Sequence, residues 1–181
     1  MLVVNYFGGP CASKSSSALL LSGKLKFSRV RAEFVDEYAK KLTWEERHNI
    51  LREDQLYIFA KQRRQLAHLV GTGIEVAVTD SPILLSRVYA SFYGQDVPPE
   101  FGACVNYYHR QFDNLNIYLH RTKPYDPVGR GQSEEEARAI DAHTYAMLTR
   151  EGHDFIELPG TEESVETVRQ IIFHRLTAQT A

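Results

Sequence analysis

The chain has 181 residues, 43% hydrophobic and 24% charged, a balance that suits one globular domain and excludes extensive disorder. The net charge of −2 excludes a globally basic nucleic-acid binder, so contact with a polyanion would need a local basic patch. Cys11 and Cys104 lack metal-ligand spacing, and the apolar N-terminus is too short for a signal peptide or membrane span, so we expect a reduced, cytoplasmic setting.

The first predicted element is a buried β-strand at residues 2–7, followed by a predicted helix at 14–22 that ends before Gly23. Between them the chain reads Gly-Gly-Pro-Cys-Ala-Ser-Lys-Ser-Ser at residues 8–16. This matches the phosphate-binding loop (P-loop) pattern G-x-x-x-x-G-K-[ST], except that Ser13 replaces the second glycine. If position 13 requires a positive φ, a serine there costs about 1–2 kcal/mol.

The loop chemistry explains these residue types. Backbone N–H groups of the loop would face the phosphates of ATP, the Lys14 ammonium would act on the β- and γ-phosphates, and the Ser15 hydroxyl would ligate Mg²⁺. The alternative is a glycine-rich turn with a surface lysine. The residues predicted to bind ATP are Gly8, Gly9, Pro10, Cys11, Ala12, Ser13, Lys14, Ser15 and Ser16.

A second strand is predicted at residues 30–36, and two carboxylates, Asp36 and Glu37, stand at its end. One of them could accept the proton of an attacking hydroxyl. We favour Glu37 as this base and place Asp36 among the substrate contacts. The alternative is a solvated acidic turn, with which the same two residues are compatible.

Residues 45–70 lack glycine and proline and predict one long or broken helix that closes at residues 71–73. Its Tyr57 and Phe59 could stack on a base, while Gln55 could read the base edge and Arg63 could contact the substrate. Aromatic residues at helical spacing are also typical of a core.

The third predicted strand, residues 74–79, ends at Asp80, where P-loop enzymes place a carboxylate that organises Mg²⁺. The alternative for Asp80 is an N-cap of the next helix. Helices are predicted at residues 83–93 and 100–112, and a fourth strand at 115–119.

A loop at about residues 121–133 carries Arg121, Lys123 and Arg130 between proline and glycine residues. We expect a mobile cationic lid that closes over the phosphates, with Arg121 and Arg130 neutralising developing charge, although a solvated basic loop remains open.

The last predicted elements are a helix at 134–151, a strand at 155–158 and a helix at 162–176. Ser133 and Glu136 have capping-box spacing at the start of the first of these helices. The alternation of strands and helices predicts one domain over residues 1–181: a five-stranded, mostly parallel α/β sheet with helices on both faces.

Five segments together resemble a group of small bacteriophage P-loop kinases, and the resemblance covers nearly the whole chain. They are Gly8–Ser16, Val35–Ala39, Asp54–Tyr57, Thr79–Pro82 and Lys123–Gln132. This group is similar to thymidylate, deoxynucleoside and nicotinamide riboside kinases and includes phage 5-hydroxymethyldeoxyuridine DNA kinases. The resemblance to deoxynucleoside kinases implies Glu37 as base with Trp44 nearby, but this chain lacks the arginine that those enzymes carry after Asp80.

We therefore expect an ATP- and Mg²⁺-dependent kinase that phosphorylates a hydroxyl group. The resemblance implies the 5-hydroxymethyl group of uracil in phage DNA as acceptor, and the host cytoplasm as location; a free nucleoside or nucleotide is the alternative. An ATPase or switch without an acceptor, a non-enzymatic DNA-binding module and a homodimer also remain open. The cationic candidates for DNA contact are Arg63, Arg64, Arg121, Lys123 and Arg130.

Overall fold

The computed structural model describes residues 1–178, except for the side chain of His48, and residues 179–181 of the predicted domain lie outside it. Five strands form one sheet in the order β2-β3-β1-β4-β5, and every neighbouring pair is parallel, which confirms the predicted sheet. The strands are β1 Leu2–Phe7, β2 Ala32–Val35, β3 Val76–Thr79, β4 Asp113–His120 and β5 Ile156–Pro159.

Eight helices connect or follow these strands in the described part of the chain. They are α1 Lys14–Phe27, α2 Tyr38–Trp44, α3 His48–Glu53, α4 Gln55–Leu69, α5 Leu85–Phe92, α6 Phe101–His109, α7 Glu134–Arg150 and α8 Glu162–Ala178. The predicted capping box is present, because the Ser133 side chain and the Glu136 side chain each accept from the other residue's backbone N–H.

The structure extends one predicted helix, adds a helix that was not predicted, and breaks the 45–70 segment, which is one of the two forms predicted for it. Helix α1 runs through Gly23, because Leu21 and Leu25 are buried on either side of it and offset the cost of about 1 kcal/mol for a glycine. The predicted 45–70 segment is broken at Asp54, whose side chain accepts from the Tyr57 N–H at 2.9 Å and caps α4. Helix α2 was not predicted, because Leu42 is its one fully buried residue and no apolar period results.

Both faces of the sheet are covered. Side chains alternate along a strand, so Val4 packs with α1 and α8 on one face, and Val3 packs with α4 to α7 on the other. A smaller cluster of Leu42, Leu51 and Ile58 joins α2, α3 and α4.

Because all strands are parallel, their carboxyl ends meet at one edge of the sheet. The loops after β1, β2, β3 and β4 carry the predicted P-loop, Glu37, Asp80 and Arg121, respectively. None of the helices within residues 1–178 is both long and apolar enough to cross a bilayer.

Candidate active site

The loop after β1 has the backbone of a phosphate cradle. Gly8, Cys11 and Ser13 adopt φ values of 131°, 65° and 66°, which confirms the expected positive φ at the serine that replaces the second glycine. Helix α1 begins at Lys14, and Ser13 occupies its N-cap position without a side-chain capping hydrogen bond. The first N–H groups of α1 therefore point toward the loop, where an anion is stabilised.

Lys14 reaches across this loop. Its Nζ donates to the Gly9 carbonyl at 2.7 Å. Burial lowers the pKa of the Lys14 ammonium group, while the Glu37 and Asp80 carboxylates act in the opposite direction. The predicted lysine and both predicted carboxylates are thus close enough to influence one another's charge.

The two carboxylates sit in different surroundings. Burial raises the pKa of the Glu37 carboxyl, and the nearby Asp80 carboxylate raises it further. Asp80 is 3% exposed, and burial raises its pKa while the Ser15 hydroxyl and Lys14 oppose the shift. Helix α5 begins at Leu85, so Asp80 does not cap it, and the structural alternative for Asp80 falls away.

The residues around Asp80 fit a magnesium ion. Asp80 Oδ1 is buried without a hydrogen-bond partner among the described residues. The Asp80 carboxyl group as a whole lies beside the Ser15 hydroxyl. Within residues 1–178 no group of three or more His, Cys, Asp or Glu side chains is arranged as a metal cage. Oxygen ligands from one carboxylate and one hydroxyl, completed by phosphate oxygens and water, are what Mg²⁺ prefers.

Three cavities adjoin along this edge of the sheet. The loop pocket surrounds residues 11–16 and has a volume of about 240 Å³. The outer pocket, of about 180 Å³, lies between α1 and the residues after β5 and shares Ser13, Ser16 and Lys123 with the loop pocket. The inner pocket, of about 60 Å³, lies among α2 to α5 and residues 129–132 and shares Lys14, Glu37 and Arg130 with the loop pocket.

The predicted lid covers the inner pocket. Arg52 of α3 donates to the Gly131 carbonyl at 3.0 Å, and Gln132 donates to the hydroxyl of Tyr93, the C-cap residue of α5, at 2.8 Å. A Cβ on Gly129 would lie 2.9 Å from the Trp44 ring, so the lid backbone rests directly on α2. A pocket of about 60 Å³ is far below the roughly 300–1,000 Å³ usual for a small-molecule site, so the inner pocket is nearly closed with the loop in this position.

The family model described as "AAA domain" matches residues 3–167. The chain belongs to this AAA-domain family. Its fold is similar to that of the deoxyadenosine kinase from M. mycoides with dCMP and dCDP bound, with a TM-score of 0.61 and 16% identity over 97% of this chain and 99% of that chain. It is also similar to the NadR protein in complex with NR, with a TM-score of 0.62 and 18% identity over 93% of this chain and 50% of that chain. A comparison with curated proteins finds no match.

Within this AAA-domain chain, the lid arginines take different positions. Arg130 lines both the loop pocket and the inner pocket, and its Nε is buried without a partner among the described residues. The Arg121 side chain is only 9% exposed and donates to the Pro10 carbonyl and to Asp141. The structure thus places Arg130 between the loop pocket and the inner pocket, and Arg121 behind the loop.

Of the five predicted substrate contacts, Gln55 lines the inner pocket. Its Nε2 donates to the Leu51 carbonyl at 2.9 Å. The next residue of α4 that lines this pocket is Ile58, at the i+3 position. This helical period turns the residues between Gln55 and Ile58 away from the pocket.

The other four predicted contacts lie elsewhere, and Phe59 is a correction. Phe59 is 4% exposed and packs edge-on against Phe101 in the core, 5.7 Å between ring centroids. Tyr57 hydrogen-bonds the Tyr38 hydroxyl at 2.7 Å, and Arg63 covers the Tyr108 ring at 4.7 Å. Asp36 pairs with Lys41 at 3.2 Å, facing away from its neighbour Glu37.

Sequence reasoning missed Tyr89, Tyr93 and Gln132 in the inner pocket and Asp141 behind the loop. Tyr89 and Tyr93 stack at 6.2 Å and follow the buried Leu85 at helical spacing, which is a signal that the sequence carries. Asp141 has no such signal, because it reaches the loop through the packing of α7.

Proposed function

We propose that this chain is an ATP- and Mg²⁺-dependent kinase that transfers the γ-phosphoryl group of ATP to a hydroxyl of a free nucleoside. The observation that carries the proposal is that Lys14, Glu37 and Arg130 each line both the loop pocket and the inner pocket. A lysine, a carboxylate and an arginine at the junction of two pockets supply the charge balance that phosphoryl transfer needs. The similarity to the fold of a deoxyadenosine kinase supports the proposed kinase function.

The geometry suggests a role for each residue. Glu37 accepts the proton of the acceptor hydroxyl while the hydroxyl oxygen attacks the γ-phosphorus. The bond between the γ-phosphorus and the β,γ-bridging oxygen breaks as the new bond forms. Lys14 and Arg130 neutralise the charge that develops on the phosphoryl oxygens. Ser15 and Asp80 would hold Mg²⁺ when it is bound, and the ion would supply further positive charge for the phosphates.

The raised pKa of Glu37 suits this role. Burial makes its carboxylate a stronger base than an exposed glutamate, because the pocket stabilises the protonated form. A base whose pKa lies closer to the working pH is more effective than an ordinary carboxylate.

A neutral acceptor fits the inner pocket better than a nucleotide. The cations that line the pocket are Lys14, Lys40 and Arg130, and two of these also line the loop pocket. A monophosphate would place its charge beside Glu37 with little left to balance it.

Hydroxymethyluracil in DNA, the acceptor that the resemblance implies, has less support. Arg121 is buried against the P-loop, and Arg63 covers Tyr108 rather than lining the inner pocket. These two candidates are therefore not placed along a track that leads to the inner pocket. We rank a DNA base behind a free nucleoside.

The test is transfer from labelled ATP to a panel of nucleosides, nucleoside monophosphates, plain DNA and hydroxymethyluracil DNA, with and without Mg²⁺. We expect phosphorylation of one or more nucleosides that requires Mg²⁺. Transfer to hydroxymethyluracil DNA alone, at low salt, would replace the nucleoside by DNA as acceptor. ATP hydrolysis without transfer to any acceptor would instead indicate an ATPase.

A further inference from the structure

An acidic side chain of helix α7 hydrogen-bonds the backbone of the P-loop. Asp141 Oδ1 accepts a hydrogen bond from the Gly9 N–H. Asp141 Oδ2 accepts a hydrogen bond from Arg121 Nη2 at 2.7 Å. Arg121 Nη1 in turn donates to the Pro10 carbonyl. The two side chains and two consecutive loop residues therefore form a closed ring of hydrogen bonds.

The ring reaches Lys14 through Gly9. The Gly9 carbonyl accepts from Lys14 Nζ at 2.7 Å, while its N–H is held by Asp141. A Cβ at Gly9 would lie 2.5 Å from the Ala137 carbonyl and 2.7 Å from Asp141 Oδ1. Glycine is thus required here by the close approach of α7, and any shift of α7 would move the loop.

The same ring fixes the ends of the lid. Arg121 is the first lid residue, directly after β4, and Ser133 at the other end is the N-cap of α7. The start of the lid is held by Arg121, and its end continues into the helix that carries Asp141. Both ends of the lid are therefore tied to the P-loop.

We propose that Arg121 and Asp141 are a positioning pair that orients the Lys14 side chain and anchors the lid, without contacting phosphate or acceptor. This role rests on the proposed function, because it concerns the loop that would hold ATP. It assigns to Asp141 a part in the reaction that its position in the sequence does not indicate. It also gives Arg121 a different role from Arg130.

A buried ion pair could instead contribute only to folding, and the chain contains a matched control for that case. Arg87 and Glu151 form a two-pronged pair at 2.5 and 2.6 Å, with both side chains 19% exposed. Glu151 stands at the end of α7, and Arg87 lies on α5. Breaking this pair removes a similar interaction from the same helix without touching the P-loop.

The variants are Arg121→Lys, Asp141→Asn and the double variant Arg121→Gln/Asp141→Asn, with Glu151→Gln as control. Arg121→Lys keeps the charge but loses the planar fork that reaches Pro10 and Asp141 together. The double variant leaves no uncompensated buried charge, so it keeps the test open if a single variant folds poorly. Each is compared by thermal unfolding, calorimetric MgATP binding and steady-state kinetics.

We expect the Arg121 and Asp141 variants to raise the MgATP Kd and the KM for ATP about tenfold and to lower kcat about tenfold or more, as outer contacts of a catalytic group do. The KM for the nucleoside should change little. Glu151→Gln should lower the melting temperature and leave the KM for ATP unchanged.

Two results would count against the proposal. If the Arg121 and Asp141 variants lose thermal stability like Glu151→Gln but keep wild-type MgATP binding and kcat, the pair has a structural role only. If the wild-type protein itself binds no MgATP, the proposed function fails, and the positioning role fails with it.

Discussion

The loop pocket and the inner pocket share three side chains but are built in different ways. The loop pocket is formed largely by consecutive residues 11–16, whose backbone follows from positive φ at Cys11 and Ser13 and from the start of α1. The inner pocket draws on α2, α3, α4, α5 and the lid, between Pro10 and Gln132. A local site is held by its own backbone, whereas a distributed site depends on how helices pack and on where the lid rests.

This difference suggests a division of labour. The loop pocket is suited to a ligand common to many enzymes, the phosphate chain of a nucleotide. The inner pocket can vary with each helix that lines it, so it is the part that would select the acceptor. Substitutions in the two regions should therefore change different kinetic constants.

The largest expected effect comes from the junction of the two pockets. Lys14→Met removes a cation that acts on the transferring phosphoryl group, and we expect kcat to fall by about 10³-fold or more. Because burial lowers the pKa of Lys14, removing its charge should not destabilise the fold. Lys24→Met, on the same helix but in a surface pair with Glu166, is the control and should keep full activity.

That experiment is decided by comparing kcat with the circular dichroism spectrum and melting temperature of each variant. A Lys14→Met protein with nearly unchanged kcat would show that the loop pocket does not hold the transferring phosphate. The two pockets would then not work as one site.

The next effect separates the base from its neighbour. Glu37→Gln should lower kcat about 10²-fold or more and leave the MgATP Kd unchanged, because the base acts on the acceptor. Asp36→Asn, which changes the adjacent carboxylate facing Lys41, should have little effect on kcat. Equal losses in both variants would contradict the assignment of Glu37.

The pH dependence follows from the raised pKa of Glu37. The wild-type rate should fall on acidification through a pKa above that of an ordinary glutamate, since the protonated carboxyl cannot accept a proton.

The raised pKa of the Glu37 carboxyl also affects folding stability. The stability contributed by this group is present at low pH and is lost as the pH rises. Glu37→Gln should therefore raise the melting temperature at neutral pH. A lowered melting temperature would show instead that the folded protein stabilises the ionised carboxylate.

The comparison also explains how much of the molecule could be read from the sequence. The sheet and the P-loop were predicted because each depends on neighbours in the chain: apolar runs for the strands, and Gly8, Lys14 and Ser15 at fixed spacing for the loop. Even the strain at Ser13 could be anticipated, because the pattern itself specifies the position that needs positive φ.

The distributed parts were harder to predict. Phe59 and Gln55 both lie on α4, but only the orientation of the folded helix shows that one faces the core and the other the inner pocket. Arg121 and Arg130 look alike in a basic loop, and they differ because α7 brings Asp141 to one of them. Long-range packing of this kind leaves no spacing signal in a single sequence.

A smaller effect tests acceptor recognition in the inner pocket. Gln55→Leu removes polar groups that line the pocket, and we expect the KM for the nucleoside to rise about three- to tenfold, the worth of one hydrogen bond. The MgATP Kd should stay constant, because Gln55 does not line the loop pocket in the described structure. Tyr57→Phe on the same helix is the control; it loses the hydroxyl that bonds Tyr38 and Lys61, outside the inner pocket. A change in MgATP affinity with Gln55→Leu would show that the two pockets are not separable.

The smallest effect concerns the loop backbone alone. Ser13 has φ 66° and ψ 13°, a left-handed conformation that costs a non-glycine residue about 1–2 kcal/mol. Ser13→Gly removes this cost but increases the conformational entropy of the unfolded chain, which takes back about 0.4–1 kcal/mol. We therefore expect a free energy of unfolding that is unchanged or raised by up to about 1.6 kcal/mol, and an unchanged MgATP Kd.

Ser13→Ala is the matched control, because it removes the hydroxyl and keeps the Cβ in the left-handed conformation. If both variants lose MgATP affinity, the hydroxyl itself contacts the nucleotide, and the loop pocket depends on a side chain as well as on its backbone. If Ser13→Gly alone loses affinity, the Cβ is what holds the loop in shape, through contacts such as its packing near Gly160. Unchanged affinity in both would show that backbone conformation, which serine and glycine can each adopt here, is sufficient for the loop pocket.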